Sequence, residues 1–331
     1  MKKFQSDVEA ADALAAIYKE LKLEISKVIV GQEAIVDQLL IAMFCRGHVL
    51  LVGVPGLAKT LLINTIAQTL HLKFNRIQFT PDLMPTDIVG TEILEIDQDS
   101  NKKYFKFIHG PIFANVILAD EINRTPPKTQ SALLEAMQEY KVTVAGVQHE
   151  LQPPFFVLAT QNPIEQEGTY PLPEAQLDRF MFNLQAEYPS FNEEVSIVKS
   201  TTAERSVQLK PILTAEEILF FQNLIRRVPV ADNVVEHAVK LVRRTRKDQA
   251  DAPAFLKDLI TWGAGPRASQ FLIVGAKAHA LLHGKYSPDI EDVNAIALPV
   301  LRHRIVPSFN AEADGLSADD IIRKLLRPEV Q

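Results

Sequence analysis

One strand, loop and helix constrain the fold more than any other part of the chain. The apolar run Val49-Leu-Leu-Val52 leads into Gly53-Val-Pro-Gly-Leu-Ala-Lys-Thr60, which a helix-forming segment follows. This order is typical of a phosphate-binding loop, in which backbone N–H groups and the helix N-terminus surround phosphates. We expect Lys59 to reach the outer phosphates and Thr60 to bind magnesium. The segment therefore predicts an ATP-binding protein on an α/β fold.

The loop departs from the strict pattern at Ala58, where a second glycine normally precedes the lysine. We expect the methyl group to be tolerated because the backbone there lies in the right-handed helical region. A glycine-containing turn without a ligand is the alternative for this segment alone. The residues predicted to contact the nucleotide here are Gly53, Pro55, Gly56, Leu57, Ala58, Lys59, Thr60 and Leu61.

Length and composition fit a globular protein of about two domains. The chain has 331 residues, is 47% hydrophobic and 23% charged, and has a mean hydropathy of +0.02. Its net charge of −6 gives no general attraction to nucleic acid. Cys45 is the only cysteine, which excludes an internal disulfide. The N-terminus does not resemble a secretory signal and the apolar runs are too short to span a bilayer, so we expect a cytoplasmic location without membrane insertion.

The hydrophobic pattern divides the chain into three parts. Helical spacing over residues 7–26 predicts an amphipathic N-terminal helix, assigned to a segment 1–29, and a second helix is expected over residues 33–45. Candidate buried strands at 74–79, 115–119 and 155–160 alternate with helices, such as 128–140, and predict a parallel sheet within residues 30–188. Residues 90–109 and 141–152 are expected to be inserted β-hairpins. Residues 189–331 are predicted to be all-α.

Two carboxylates end a predicted buried parallel strand, Asn115-Val-Ile-Leu-Ala-Asp-Glu121. Open α/β sheets place their ligands at this edge. We expect Asp120 to hold magnesium, directly or through water, and Glu121 to deprotonate the attacking water. A helix N-terminal cap is the simpler interpretation of such a pair when it stands alone.

Three further polar residues follow in chain order. Asn162 ends the next strand and could hydrogen-bond the γ-phosphate or the attacking water. Arg179 lies in a short helical segment, and Arg267 begins a helix of the second domain. Taken singly, Asn162 would be a turn former before Pro163 and each arginine a surface salt bridge. Their order after the loop and the Asp-Glu pair favours a shared role.

At this point the chain resembles the AAA+ ATPases, and specifically the MoxR family. The resemblance rests on Gly53–Thr60 with its alanine, on Asp120-Glu-Ile-Asn-Arg-Thr-Pro-Pro-Lys-Thr-Gln-Ser-Ala-Leu-Leu-Glu-Ala-Met-Gln-Glu139, and on Pro171-Leu-Pro-Glu-Ala-Gln-Leu-Asp-Arg-Phe180. It covers about residues 30–301. It implies a P-loop AAA+ parallel-sheet domain with inserted β-hairpins, followed by a smaller all-α lid domain.

The resemblance also implies roles for individual residues: Lys59 and Thr60 as the Walker A pair, Asp120 and Glu121 as the Walker B pair, Asn162 as sensor 1, Arg179 as the arginine finger, Arg267 as sensor 2, and Val30 and Gly31 as contacts to adenine. ATP and Mg²⁺ are the implied cofactors. A finger offered to the neighbouring subunit implies that hydrolysis requires a ring, and the family implies a hexamer. Its hairpins are expected to face the central pore.

The function implied by the resemblance is a chaperone that remodels or matures a client, with von Willebrand factor A domain proteins as partners. A magnesium-chelatase-like motor subunit shares most of these motifs and stays open as an alternative. A nucleic-acid motor is a further alternative, since Lys102, Lys103 and Lys106 of one hairpin could contact phosphates, although a solvated hairpin tip is the simpler interpretation. Glu121 argues against a phosphotransferase, because a base placed on water would waste the nucleotide.

Overall fold

A computed structural model describes residues 4–97, 103–164, 168–203 and 207–327. The strands are β1 (Val49–Val52), β2 (Phe74–Gln78), β3 (Gly90–Ile96), β4 (Lys103–His109), β5 (Val116–Asp120), β6 (Lys141–Val144), β7 (Val147–Glu150), β8 (Phe156–Gln161), β9 (Phe182–Gln185), β10 (Ile260–Trp262) and β11 (Val306–Pro307). The helices are α1 (Asp7–Ile25), α2 (Glu33–Phe44), α3 (Lys59–Thr69), α4 (Pro85–Val89), α5 (Pro127–Glu139), α6 (Glu174–Leu177), α7 (Phe191–Thr201), α8 (Ala215–Arg227), α9 (Asp232–Arg244), α10 (Pro266–Leu282), α11 (Ile290–Leu301), α12 (Phe309–Ala313) and α13 (Ala318–Leu326).

A parallel sheet forms the centre of the first domain, as the alternation of strands and helices predicts. Its order is β2-β5-β8-β1-β9, and neighbouring strands all run parallel. Strand β5, which lies between β2 and β8, is fully buried along Val116–Ala119 because helices cover both faces of such a sheet. Strand β9 was not expected, since Phe-Asn-Leu-Gln is a short alternating pattern that gives little signal on its own.

Both predicted hairpins are present. Strands β3 and β4 form one antiparallel pair, and β6 and β7 form the other. Lys102 lies outside the described residues, whereas Lys106 pairs with Glu95 at 3.0 Å. A lysine neutralised within its own hairpin fits the simpler interpretation, a solvated charged surface.

Helices α7–α13 build the second domain and confirm a helical lid. The all-α prediction needs one correction, because Ile260–Trp262 and Val306–Pro307 form a short antiparallel pair. Ile260 is buried whereas Thr261 and Trp262 are exposed, and the register of the pair shifts between Ile260 and Trp262. A short, irregular strand of this kind gives no period-2 signal against a helical background.

Helix α1 joins the two domains. It packs against α3 of the first domain and against α8 and α10 of the second. The Tyr18 hydroxyl donates to Asp37 of α2 at 2.8 Å, and Arg227 of α8 pairs with Asp7 at 2.9 Å. In the described ranges, no helix has the length and apolarity needed to cross a bilayer.

Candidate active site

Two glycines in the loop after β1 are required for different structural reasons. Gly56 has φ +86°, a conformation that side chains disfavour. Gly53 instead allows a close approach, because a Cβ there would lie 2.7 Å from the Cβ of Ala186, just after β9. The Gly53 N–H donates to the Gln161 carbonyl at 3.1 Å. The loop is therefore tied to the carboxyl ends of both strands that flank β1.

Ala58 does not lie in the right-handed helical region, so that expectation is wrong. Its φ and ψ are 53° and 27°, which is left-handed. Glu121 has the same conformation, with φ 58°. The left-handed region costs a non-glycine residue about 1–2 kcal/mol. Both chain segments that carry the predicted chemistry thus contain a left-handed residue, as do several other turns of the described chain.

Lys59 begins α3 and turns back into the loop. Its Nζ donates to the carbonyl of Gly53, which places the amine inside the loop. Burial lowers the pKa of Lys59, and the nearby carboxylates of Asp120 and Glu121 act in the opposite direction. The ammonium group therefore lies between the phosphate-binding loop and the acidic end of β5.

Thr160 of β8 fixes the acidic pair. Its hydroxyl donates to Asp120 Oδ1 at 2.6 Å and accepts the Glu121 backbone N–H at 2.9 Å. Arg76 of β2 binds the other oxygen of Asp120, at 2.7 Å. The Asp120 carboxylate is thus oriented by side chains from the strands on either side of β5.

The Glu121 carboxylate accepts two hydrogen bonds on one oxygen. Gln78 Nε2 lies 2.9 Å from Glu121 Oε2, and Arg124 Nη1 lies 2.8 Å from it. A carboxylate that acts as a base needs a lone pair free for the proton of water. Both hydrogen bonds are made to Oε2, so they orient the carboxylate while the lone pairs of Oε1 can accept that proton.

Asn162 follows β8 and is 7% exposed. Its Oδ1 accepts the Ile164 N–H at 3.1 Å, which fixes the side-chain amide. The amide nitrogen is thereby left as the donor, as contact with a phosphate or water oxygen requires.

The two predicted arginines come close through a shared neighbour. Arg267 pairs with Asp178 at 3.3 Å, and Asp178 directly precedes Arg179 in the chain. Among the residues that the structure describes, the Arg179 guanidinium forms no ion pair.

A cleft of about 1040 Å³ lies between the two domains. On one side it is lined by Val30, Gly31, the loop residues Pro55–Ala58 and Leu61, and on the other by α7, α11 and α13. The Gln32 side chain donates to the Leu57 carbonyl at 3.3 Å and joins the two core segments. A volume of this size accommodates a nucleotide. Lys59, Thr60, Asp120 and Glu121 are not among the residues that line this cleft.

Sequence reasoning missed the side chains that hold the acidic pair in place, which are Arg76, Gln78, Arg124 and Thr160. Thr160 carried a signal, because a hydroxyl on a fully buried strand needs a partner. Arg76 and Gln78 lie on the edge strand β2, where polar residues need no special explanation.

Comparison with known proteins agrees with this geometry. Residues 48–182 match the family model "ATPase family associated with various cellular activities (AAA)", and residues 255–325 match the AAA lid domain. The Mycobacterium tuberculosis protein Chaperone MoxR1 is 42% identical over 320 residues, which cover 96% of this chain and 84% of that protein. The chain belongs to the MoxR family of AAA+ ATPases. It is accordingly an ATPase with the two-domain fold that its sequence resembles.

Two further relatives support this membership. The Bacillus subtilis protein YeaC is 42% identical over 303 residues, which cover 91% of each chain. The crystal structure of a candidate ATPase from Cytophaga hutchinsonii has a TM-score of 0.89 at 41% identity and covers 96% of each chain. The similarity therefore extends through both domains.

Proposed function

We propose that this MoxR-family chain forms a ring, as a hexamer, that hydrolyses ATP with Mg²⁺ in order to remodel a partner protein. The observation that carries the proposal is the Asp120–Thr160–Glu121 arrangement beside Lys59 at the carboxyl ends of β1, β5 and β8. The cleft lined by Val30 and Gly31 supports their contact with adenine.

The donors available for magnesium are the Thr60 hydroxyl and the Asp120 carboxylate, and oxygen ligands of this kind suit Mg²⁺. Both Asp120 oxygens already accept hydrogen bonds, from Thr160 and from Arg76. This fits a carboxylate that holds the ion through water, as Mg²⁺ commonly requires. The ion would neutralise charge on the phosphates, while Lys59 would contact the outer ones.

Glu121 is the proposed base. It takes a proton from water, and the hydrogen bonds that Gln78 and Arg124 donate to Oε2 hold the carboxylate in place. Asn162 orients the water or the γ-phosphate through its amide nitrogen. Arg267 contacts the phosphates of its own subunit, and Arg179 reaches the γ-phosphate in the next subunit of the ring.

The hairpin β3–β4 supports contact with a client. Leu94 and Phe105 lie opposite each other in its register and are 54% and 71% exposed. Exposed apolar groups of this size are typical of interaction sites. The family implies a partner with a von Willebrand factor A domain, and one relative is named a chaperone. We place this activity in the cytoplasm, without nucleic acid as a partner.

The test compares Glu121→Gln with the wild type. The variant should bind a fluorescent ATP analogue normally but hydrolyse ATP at least about a hundredfold more slowly, because general base catalysis contributes on this order. Glu139→Gln, which changes an exposed carboxylate at the end of α5, is the matched control. Hydrolysis per subunit should also rise with protein concentration as rings form. Wild-type turnover by Glu121→Gln, or a rate per subunit independent of concentration, contradicts the proposal.

A further inference from the structure

The carboxylate of Asp178 lies between two arginines of the lid domain. Arg304 Nε lies 2.7 Å from Asp178 Oδ1, and Arg267 Nη1 lies 3.3 Å from Asp178 Oδ2. Each oxygen thus serves a different arginine. Asp178 is the residue before Arg179, so one carboxylate joins the lid to the segment that carries the proposed finger.

Arg304 also donates hydrogen bonds to backbone carbonyls of the segment 178–181. Its Nη2 donates to the carbonyls of Asp178 and Phe180, at 2.9 and 2.7 Å, and its Nη1 donates to Met181 at 3.3 Å. His303 adds a hydrogen bond of 3.1 Å to the Phe180 carbonyl. Residues 178–181 are therefore attached to the lid on both sides of Arg179.

The Arg304 side chain is only 2% exposed. Burial lowers the pKa of Arg304 to about 10, so the group stays charged at neutral pH. A charge this deep requires a counter-ion, and Asp178 is the carboxylate that supplies it. The attachment of the finger segment therefore depends on the position of the Asp178 carboxylate.

Arg267 is the more accessible partner, with a side chain 39% exposed. Phosphate and carboxylate compete for the same planar guanidinium. A nucleotide that draws Arg267 toward its phosphates withdraws one of the two cations that hold Asp178. Nucleotide bound to Arg267 would in this way change the contacts of the segment that carries Arg179.

We propose that Asp178 is a positioning residue that links Arg267 in its own nucleotide site to the Arg179 that its subunit offers to the neighbour. This inference rests on the proposed function, because it requires Arg179 to act in a second subunit. It assigns Asp178 no contact with the nucleotide.

The test measures the effect of Asp178 on the subunit's own nucleotide site and its effect on the neighbouring subunit's site in two separate experiments. For the subunit's own site, the affinity for a fluorescent ATP analogue is measured in the Glu121→Gln background. Asp178→Asn should tighten binding by up to about fivefold, because Arg267 no longer has to leave a partly exposed carboxylate. The gain should vanish when Arg267→Ala is added. Unchanged affinity overturns the link to the subunit's own site.

For the neighbouring site, two inactive variants are mixed. Arg179→Ala chains keep a complete site but offer no finger, whereas Glu121→Gln chains offer a finger but cannot turn ATP over. Hydrolysis then occurs only in an Arg179→Ala chain whose neighbour is a Glu121→Gln chain, because that neighbour supplies the arginine finger. Adding Asp178→Asn to the Glu121→Gln chains should lower kcat on the order of tenfold, because small displacements of a catalytic group cost this much or more. The KM for ATP should stay unchanged, since the hydrolysing chains are unaltered.

Asp251→Asn is the matched control, because Asp251 pairs with Arg243 of the lid at 3.0 Å but lies outside this segment. It should leave both readouts unchanged. Undiminished hydrolysis with Asp178→Asn overturns the proposal. If Glu121→Gln chains with Asp178 intact fail to restore hydrolysis, it is the proposed function that is contradicted. Should Asp178→Asn not fold, Asp178→Glu takes its place in the mixture of inactive chains, where it should also lower kcat, since it keeps the charge beside Arg304 but displaces the carboxylate.

Discussion

Replacing Thr160 with valine removes one hydroxyl while nearly keeping the shape of the side chain. Thr160 is 1% exposed. Its hydroxyl donates a hydrogen bond to the Asp120 carboxylate at 2.6 Å and accepts one from the Glu121 N–H at 2.9 Å. Losing a charge-assisted bond and leaving a backbone N–H without its acceptor should together cost about 2–4 kcal/mol in the free energy of unfolding. Hydrolysis should also slow on the order of tenfold or more, because the backbone that carries the base loses its anchor.

The assay is urea unfolding together with steady-state ATP hydrolysis for Thr160→Val and Thr160→Ser. Serine keeps the hydroxyl and loses one methyl group, which costs about 1 kcal/mol. We expect the serine variant to be the more stable of the two and to retain most of the wild-type kcat. If valine is as well tolerated as serine in both measurements, Thr160 does not hold the acidic pair and the reasoning is refuted.

Three shorter predictions concern single residues. Burial lowers the pKa of His48 to about 4. The unfolded chain therefore takes up the proton first, and about 3 kcal/mol of stability is lost as the pH falls from about 6.5 to about 4. His48→Gln should flatten this part of the curve of unfolding free energy against pH, and an unchanged slope would contradict the assignment. Ala58→Gly should raise the free energy of unfolding by up to about 1 kcal/mol, since relief of the left-handed strain exceeds the entropy cost of glycine; a lower thermal midpoint would speak against it. Gly53→Ala should weaken binding of an ATP analogue on the order of tenfold, because its Cβ would meet Ala186 at 2.7 Å; wild-type binding would show that the loop adapts.

The central sheet was predictable because its strands are apolar runs followed by polar residues. Residues 49–51 and 116–119 are buried, so the sequences of these two strands carry a strong signal. Strand β9 was not found, because four alternating residues fit a loop equally well. The positions of the carboxylates and of Asn162 followed from where the strands end.

The contacts that hold the site were not predictable in the same way. Arg76 reaches Asp120 only because β2 lies beside β5, and this strand order is not visible in the sequence. The pairing of Asp178 with Arg267 depends on how the lid sits on the sheet. The expected backbone conformation of Ala58 was wrong because it rested on the intrinsic preference of alanine for the right-handed region. The turn from the loop into α3 determines the observed left-handed conformation instead.

The measurement that tests the account most directly is ATP hydrolysis by an equal mixture of Arg179→Ala and Glu121→Gln chains, each inactive alone. If the finger acts in the next subunit, about a quarter of the wild-type rate per chain should return, because half of the chains keep a complete site and half of those receive a finger. Size-exclusion chromatography confirms that the mixed chains assemble. A mixture that assembles but stays as inactive as its components would show that base and finger act within one chain, which contradicts the shared site.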